Sequence, residues 1–197
     1  MSYAQSKEDV TWNNQAVSLM DSGNYERALV CLDKIKDLDG NNFVYRYNRA
    51  VTLFHLKQYQ DAIAEYKFLH QLFPEQGEYL FQTGNAYEQL DSVEQAVTYY
   101  NKAIEADPDH FIYFFKRGTI RLKQNKFEEA KKDFTLAIDL NPNHHNSFHN
   151  RGIAFYKSGQ PDKACADWCQ ASVLGNTYSK GHIEQNCSKS HPCITFK

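Results

Sequence analysis

Small apolar residues return every 34 positions, at Ala16, Ala50, Gly84, Gly118 and Gly152. They return again twelve positions later, at Ala28, Ala62, Ala96, Ala130 and Ala164. A large apolar series, Leu32, Tyr66, Tyr100, Phe134 and Trp168, keeps the same interval, and Pro74, Pro108 and Pro142 close three of the periods. Polar turn formers break each period in two, at Asp21-Ser22-Gly23-Asn24, Leu90-Asp91-Ser92 and Lys157-Ser158-Gly159-Gln160. The pattern predicts two antiparallel helices per period, with small residues where the pair crosses and the large residue filling the next gap. A unit of this size cannot bury an apolar face alone, so such units stack and each covers its neighbour. Function is then expected on a surface. The three prolines follow second helices, where a missing amide donor stops continuation, whereas Pro161 stands at the expected start of a second helix, where that loss costs little.

These residues resemble the tetratricopeptide repeat family, built from 34-residue helix-turn-helix units. The resemblance covers residues 9–178 as five repeats, 9–42, 43–76, 77–110, 111–144 and 145–178. It leaves residues 1–8 as an N-terminal extension and 179–197 as the rest of a capping helix and a tail. It implies an all-α, right-handed α-solenoid with a C-terminal capping helix. That cap is expected over residues 176–186 with Tyr178 and Ile183 facing inward, and residues 187–197 are expected to form a loose tail. Gly40 and Asn176 stand where a closing proline is usual, and Arg121 where an aromatic or apolar residue is common, so local irregularity is expected there. Trp168 with Cys165 and the Leu174-Gly175-Asn176 ending resembles the terminal repeats of bacterial members.

In the family the first helices line a concave groove, with inward residues at the second, fifth, sixth, ninth, twelfth and thirteenth places. Carried onto this chain, the candidate peptide-binding residues are Asn14, Tyr47, Asn48, Phe54, Phe81, Gln82, Asn85, Phe115, Lys116, Lys123, His149, Asn150 and Lys157. Val17, Val44, Glu78, Glu88 and Tyr156 occupy further inward places. The sixth place reads Asn14, Asn48, Gln82, Lys116, Asn150. A carboxamide offers both a donor and an acceptor, so such a row can bond the backbone of an extended peptide. The row resembles the asparagine ladder in the repeat region of O-linked N-acetylglucosamine transferase; alternatively, each Asn bonds to an adjacent helix. Tyr47, Phe81 and Phe115 would supply apolar pockets. The carboxylate clamp that holds acidic chaperone tails is not reproduced: only Asn48 matches it, and Glu78 would repel a carboxylate.

Composition narrows the classes. Aromatic content of 14% is ample for a core, mean hydropathy is negative, and no apolar run approaches the roughly 18 residues a bilayer requires. The first ten residues lack a basic start and an apolar stretch, so no secretory signal is expected and the cytoplasm is the default compartment. Five cysteines, Cys31, Cys165, Cys169, Cys187 and Cys193, form no regular framework and are expected as reduced thiols. Their spacing, with His182 and His191 nearby, matches no common zinc module. Neither metal nor cofactor is expected. No phosphate loop, nucleophile elbow or carboxylate pair stands out, so the chain is expected not to be an enzyme.

Charge is unevenly placed: residues 1–110 carry 9 Lys/Arg and 17 Asp/Glu, and residues 111–197 carry 13 and 7, giving −8 and +6. Opposite fields could orient a ligand or join copies head to tail, making a homo-oligomer possible; solvated helix faces are the bland reading. The interspersed basic residues and the lack of any nucleic-acid motif argue against nucleic acid. The expected partner is a protein or peptide, with neither nucleic acid nor membrane.

Overall fold

Five residues one period apart hold the left-handed backbone conformation: Gly23, Lys57, Asp91, Asn125 and Gly159, with φ of 76°, 62°, 53°, 60° and 77°. Each lies in the middle of a three-residue turn. There the following amide reaches back to close the preceding helix, as in Asn24 N–H to Leu19 O (2.8 Å) and Gln160 N–H to Phe155 O (2.9 Å). The computed structural model describes residues 7–35 and 43–188. Among them the helices are α1 (Lys7–Asp21), α2 (Tyr25–Leu32), α3 (Phe43–His55), α4 (Tyr59–Leu72), α5 (Gly77–Gln89), α6 (Val93–Ala106), α7 (Phe111–Lys123), α8 (Phe127–Leu140), α9 (His145–Lys157), α10 (Pro161–Val173) and α11 (Tyr178–Asn186). No strand occurs among the described residues. Gly40 and residues 189–197 of the expected tail lie outside them.

The chain divides into two compact units, residues 1–106 with α1–α6 and residues 107–197 with α7–α11. Within each unit every helix packs on the next in sequence. Each three-residue turn forces its pair to run back on itself, forming a helical hairpin. Pro161 is the first residue of α10, as its missing amide predicts.

The period is explained at the hairpin crossings. Ala28, Ala62, Ala96, Ala130 and Ala164 are fully buried, as are Leu32, Tyr100, Phe134 and Trp168. A methyl group added at Gly84 would lie 2.7 Å from the Tyr100 ring, at Gly118 2.9 Å from Phe134, and at Gly152 2.6 Å from Trp168. The aromatic therefore occupies the space that glycine vacates on the facing helix. Each such ring contributes on the order of 2–3 kcal/mol of burial.

A second recurring device is ionic. Arg49 binds Glu65 (2.6 Å), Arg117 binds Asp133 (2.6 and 3.0 Å), and Arg151 binds Asp167 through two 2.8 Å bonds. Each pair spans 16 residues and ties the first helix of a hairpin to the second. Asp133 also receives Arg121 (2.8 Å), which gives that basic residue a partner where an apolar one is usual. Asp167 shows the balance of forces. Burial raises its pKa, and the bonds from Arg151 partly offset the rise.

Candidate functional site

In the first unit, α1, α3 and α5 carry the candidate residues. Asn14 is exposed, as are Val17 and Val44. The Asn48 carboxamide donates to Oδ1 of Asn13, a buried residue of α1, at 2.8 Å, so one of its bonds joins one first helix to another. Tyr47 is half-buried, its ring 6.2 Å from Tyr66 and 6.1 Å from Tyr79. Burial first, then Glu78 and Tyr79, push its phenol pKa up, so the hydroxyl stays a proton donor. Phe54 is also half-buried and packs on the same core, 5.4 Å from Tyr59.

On α5 the polar candidates bond to one another. Gln82 donates to Glu78 (2.7 Å) and accepts from Asn85 (3.0 Å); Asn85 in turn accepts from the Tyr100 hydroxyl (2.8 Å), which also lies 3.0 Å from Glu88. Burial first, then Glu88, drives the Tyr100 pKa far upward, which holds the proton on this hydroxyl. Phe81 is only 7% exposed and rests 5.6 Å from the Tyr100 ring. It packs on the core ring of Tyr100 rather than standing open as an apolar pocket.

In the second unit, Phe115 is half-buried against Phe134 (6.0 Å) and His144 (4.7 Å). Lys123, Lys157 and Tyr156 are exposed and Lys116 is half-buried. Asn150 reaches toward the Thr119 hydroxyl of α7 at 3.5 Å, again a link between first helices. His149 faces α11: its Nδ1 is 2.8 Å from Ser179 Oγ and its ring 5.3 Å from His182, while its carbonyl accepts from the Trp168 indole (3.2 Å). Burial first, then His182 and His145, lower its pKa, so the ring is neutral near neutral pH.

The capping helix departs from expectation at one end. Ile183 is buried, but Tyr178 is 79% exposed. The cap is instead seated by polar bonds from Asn176 to Asn146 (3.0 Å) and Ser179 (3.0 Å), and by the His182 ring stacked on Trp168 at 4.7 Å. The expectation of reduced thiols is overturned as well. Cys165 and Cys187 form a disulfide, and Cys169 is disulfide-bonded too, so Cys187 is fastened to α10 rather than free in a tail. Cys31 is a free, buried thiol. Oxidation removes the bonded sulfurs as thiolate ligands. No group of three or more His, Cys, Asp or Glu is arranged to hold a metal among the described residues. No helix among them is long and apolar enough to cross a membrane.

Two kinds of residue escape the sequence pattern. The Arg–acid pairs carry a signal in their regular spacing of 16 but read as ordinary surface charge. The polar seat of α11, Ser179 with Asn176 and His182, carries none.

Family models for tetratricopeptide repeats match residues 77–110 and 111–144, and the model described as anaphase-promoting complex, cyclosome, subunit 3 matches residues 1–69. No curated protein matches the sequence significantly. Among solved structures, MamA from Desulfovibrio magneticus RS-1, residues 41 to the end, superposes with a TM-score of 0.75 at 17% identity, covering 87% of this chain and 97% of that one. A double mutant of RS-1 MamA gives 0.76 at 16% identity, with 90% and 99% covered. YrrB, described as a TPR protein with an unusual peptide-binding site, gives 0.69 at 21% identity, with 91% and 93% covered. The structural likenesses establish the all-α repeat fold, and with the family models they identify this chain as a tetratricopeptide-repeat protein.

Proposed function

We propose that this chain is a non-enzymatic protein-interaction scaffold that captures peptide segments on the first-helix faces of its repeats, taken as residues 9–42, 43–76, 77–110, 111–144 and 145–178. The observation that carries this is the outward set on those helices. Val17 and Val44 stand open in the first unit, and Tyr156 stands beside exposed Lys157 in the second. Exposed apolar groups offer burial to a partner, and neighbouring polar groups fix its register. Asn14 and the unused capacity of Asn48, Gln82, Asn85 and Asn150 are the peptide-bonding groups in this reading. Tyr47, Phe54 and Phe115 form the apolar floor. Lys116, Lys123 and Lys157 favour acidic residues in the ligand. The peptide-binding site described for YrrB supports the same use of the fold.

For the compartment, the Cys165–Cys187 disulfide weighs against the cytoplasmic placement expected from the thiols, because structural disulfides persist mainly in oxidising surroundings. The test of function is a quantitative pull-down with wild type, a V17E/V44E variant and a Y156A/K157E variant, each checked for native helicity. Partners lost with the first-helix variants and retained by a V30S/L136S control on second helices support the proposal. Partners retained by all three refute it.

A second reading, assembly of copies through opposite charge, is favoured by the −8 and +6 of the two segments. It requires a solution mass that rises with concentration and falls with salt. A constant monomer mass would remove it.

A further inference from the structure

The Arg–acid node that recurs in the second, fourth and fifth repeats is replaced in the third. Arg49 bridges Glu65 (2.6 Å) in its own hairpin and Asp33 (3.0 Å) in the preceding one, and Arg151 likewise bridges Asp167 and Thr135 (3.0 Å). One period on from Arg49, Glu65 and Asp33 stand Thr83, Tyr99 and Lys67. The internal cation has become a threonine, its carboxylate partner a tyrosine, and the flanking acid a lysine.

The result is a cavity of about 210 Å³ within the first unit, lined by Lys67, His70 and Gln71 of α4, Leu80 and Thr83 of α5, and Tyr99 and Lys102 of α6. No carboxylate belongs to this lining. Leu80 and Thr83 are buried, and the Thr83 hydroxyl donates to the Tyr79 carbonyl (2.8 Å), so both are floor. Two cations are held over one aromatic ring: Lys67 Nζ lies 5.4 Å and Lys102 Nζ 5.2 Å from the Tyr99 centroid. Lys67 donates to the Tyr87 hydroxyl (3.1 Å), and Tyr99 also draws on it, which leaves a third ammonium donor for a ligand. His70 also lines the pocket, and its Nδ1 is buried with no hydrogen-bond partner.

We propose that this pocket is an oxyanion site for a phosphoryl group. Both ammonium groups are held by the same ring, which concentrates positive charge at the pocket and favours an anion there. They approach from different helices. A tetrahedral oxyanion can present separate oxygens to the two lysines, whereas the two oxygens of a carboxylate lie in one plane. The two ammonium groups supply the attraction locally, against the repulsion of a segment whose net charge is −8. The cations of the pocket belong to second helices and α5 supplies only its buried floor, so failure of the site leaves the first-helix proposal standing, and the reverse also holds.

The test is an NMR titration of the full chain at constant ionic strength with inorganic phosphate, O-phosphoserine, acetate and chloride. The expected result is saturable shifts of the Thr83 and Tyr99 amides and the His70 ring nitrogens with both phosphoryl probes. K102Q, at an exposed position, should weaken binding about tenfold, and K67Q/K102Q should abolish it. Tighter binding of O-phosphoserine assigns the phosphoryl group to a carrier molecule, and tighter binding of inorganic phosphate assigns it to the free ion; each result requires the site. Non-saturating shifts, shifts equal to those with chloride or acetate, or binding unchanged in the folded K67Q/K102Q variant would overturn the proposal.

Discussion

Replacing Gly152 by alanine isolates the steric rule on which the repeat rests. The new methyl carbon would stand 2.6 Å from Nε1 and 2.7 Å from Cδ1 of Trp168, and 3.2 Å from the Ala164 carbonyl oxygen. Carbon contacts relax near 3.5–4.0 Å, so the ring or the helix must move by about 1 Å. Trp168 has little room, because it is fully buried, stacked on His182 and bonded to the His149 carbonyl. Removing a helical glycine by itself gains about 1 kcal/mol. Overpacking costs about 1–3 kcal/mol, and an indole N–H pulled from its acceptor costs about 1–3 more. The net expectation is a loss of about 1–5 kcal/mol. Urea unfolding followed by Trp168 fluorescence in a Trp12→Phe background would measure it, since the chain has two tryptophans. Ala50→Gly is the comparison: Ala50 is fully buried in the hairpin of Tyr66, so a propensity cost of about 1 kcal/mol and a lost methyl burial of about 0.8 kcal/mol should appear, with no clash. An unchanged or stabilised Gly152→Ala protein would refute the packing argument.

Lys57 holds a φ of 62°, so Lys57→Gly should stabilise the first unit by about 0.5–1 kcal/mol, read as a raised denaturation midpoint. Asp133 is 1% exposed and receives two arginines; Asp133→Asn removes the carboxylate they share, although Arg121 keeps Glu129, and should cost about 3 kcal/mol in urea unfolding. His149 and His144 have pKa values lowered mainly by burial. The unfolded chain therefore binds more protons than the folded one below the free-histidine value of about 6.5. Stability is fully present above that pH and declines as pH falls toward the folded pKa values; His149→Gln should flatten part of the slope in Trp168-monitored unfolding.

The hairpins, their turns and the crossings were legible because each depends on residues close in sequence. A small residue must face a large one 16 positions on, and a three-residue turn must lie between them. Glycine marked the turn at Gly23 and Gly159 and the polar Asp91-Ser92 pair marked it in the third repeat, whereas Lys57 and Asn125 adopt the same conformation with no such signal. Side-chain commitments were harder to read. Asn48 and Asn150 belong to the sixth-place row, yet their links to Asn13 and Thr119 depend on how neighbouring first helices approach. Phe81 and Tyr178 exchanged the expected exposures because burial is decided by which surface the next helix covers. The disulfide was illegible for a similar reason. Cys165 and Cys187 are 22 residues apart, and only the return of α11 along α10 brings their Cα atoms to 5.8 Å.

The central claim, that partners are captured on first-helix faces, is tested most directly by placing a photo-crosslinking phenylalanine analogue singly at Val17, Tyr156, Val30 and Leu136, all exposed. The first two lie on first helices and the last two on second helices. The account predicts partner adducts at Val17 or Tyr156 and none at Val30 or Leu136. Adducts confined to Val30 or Leu136 would contradict it.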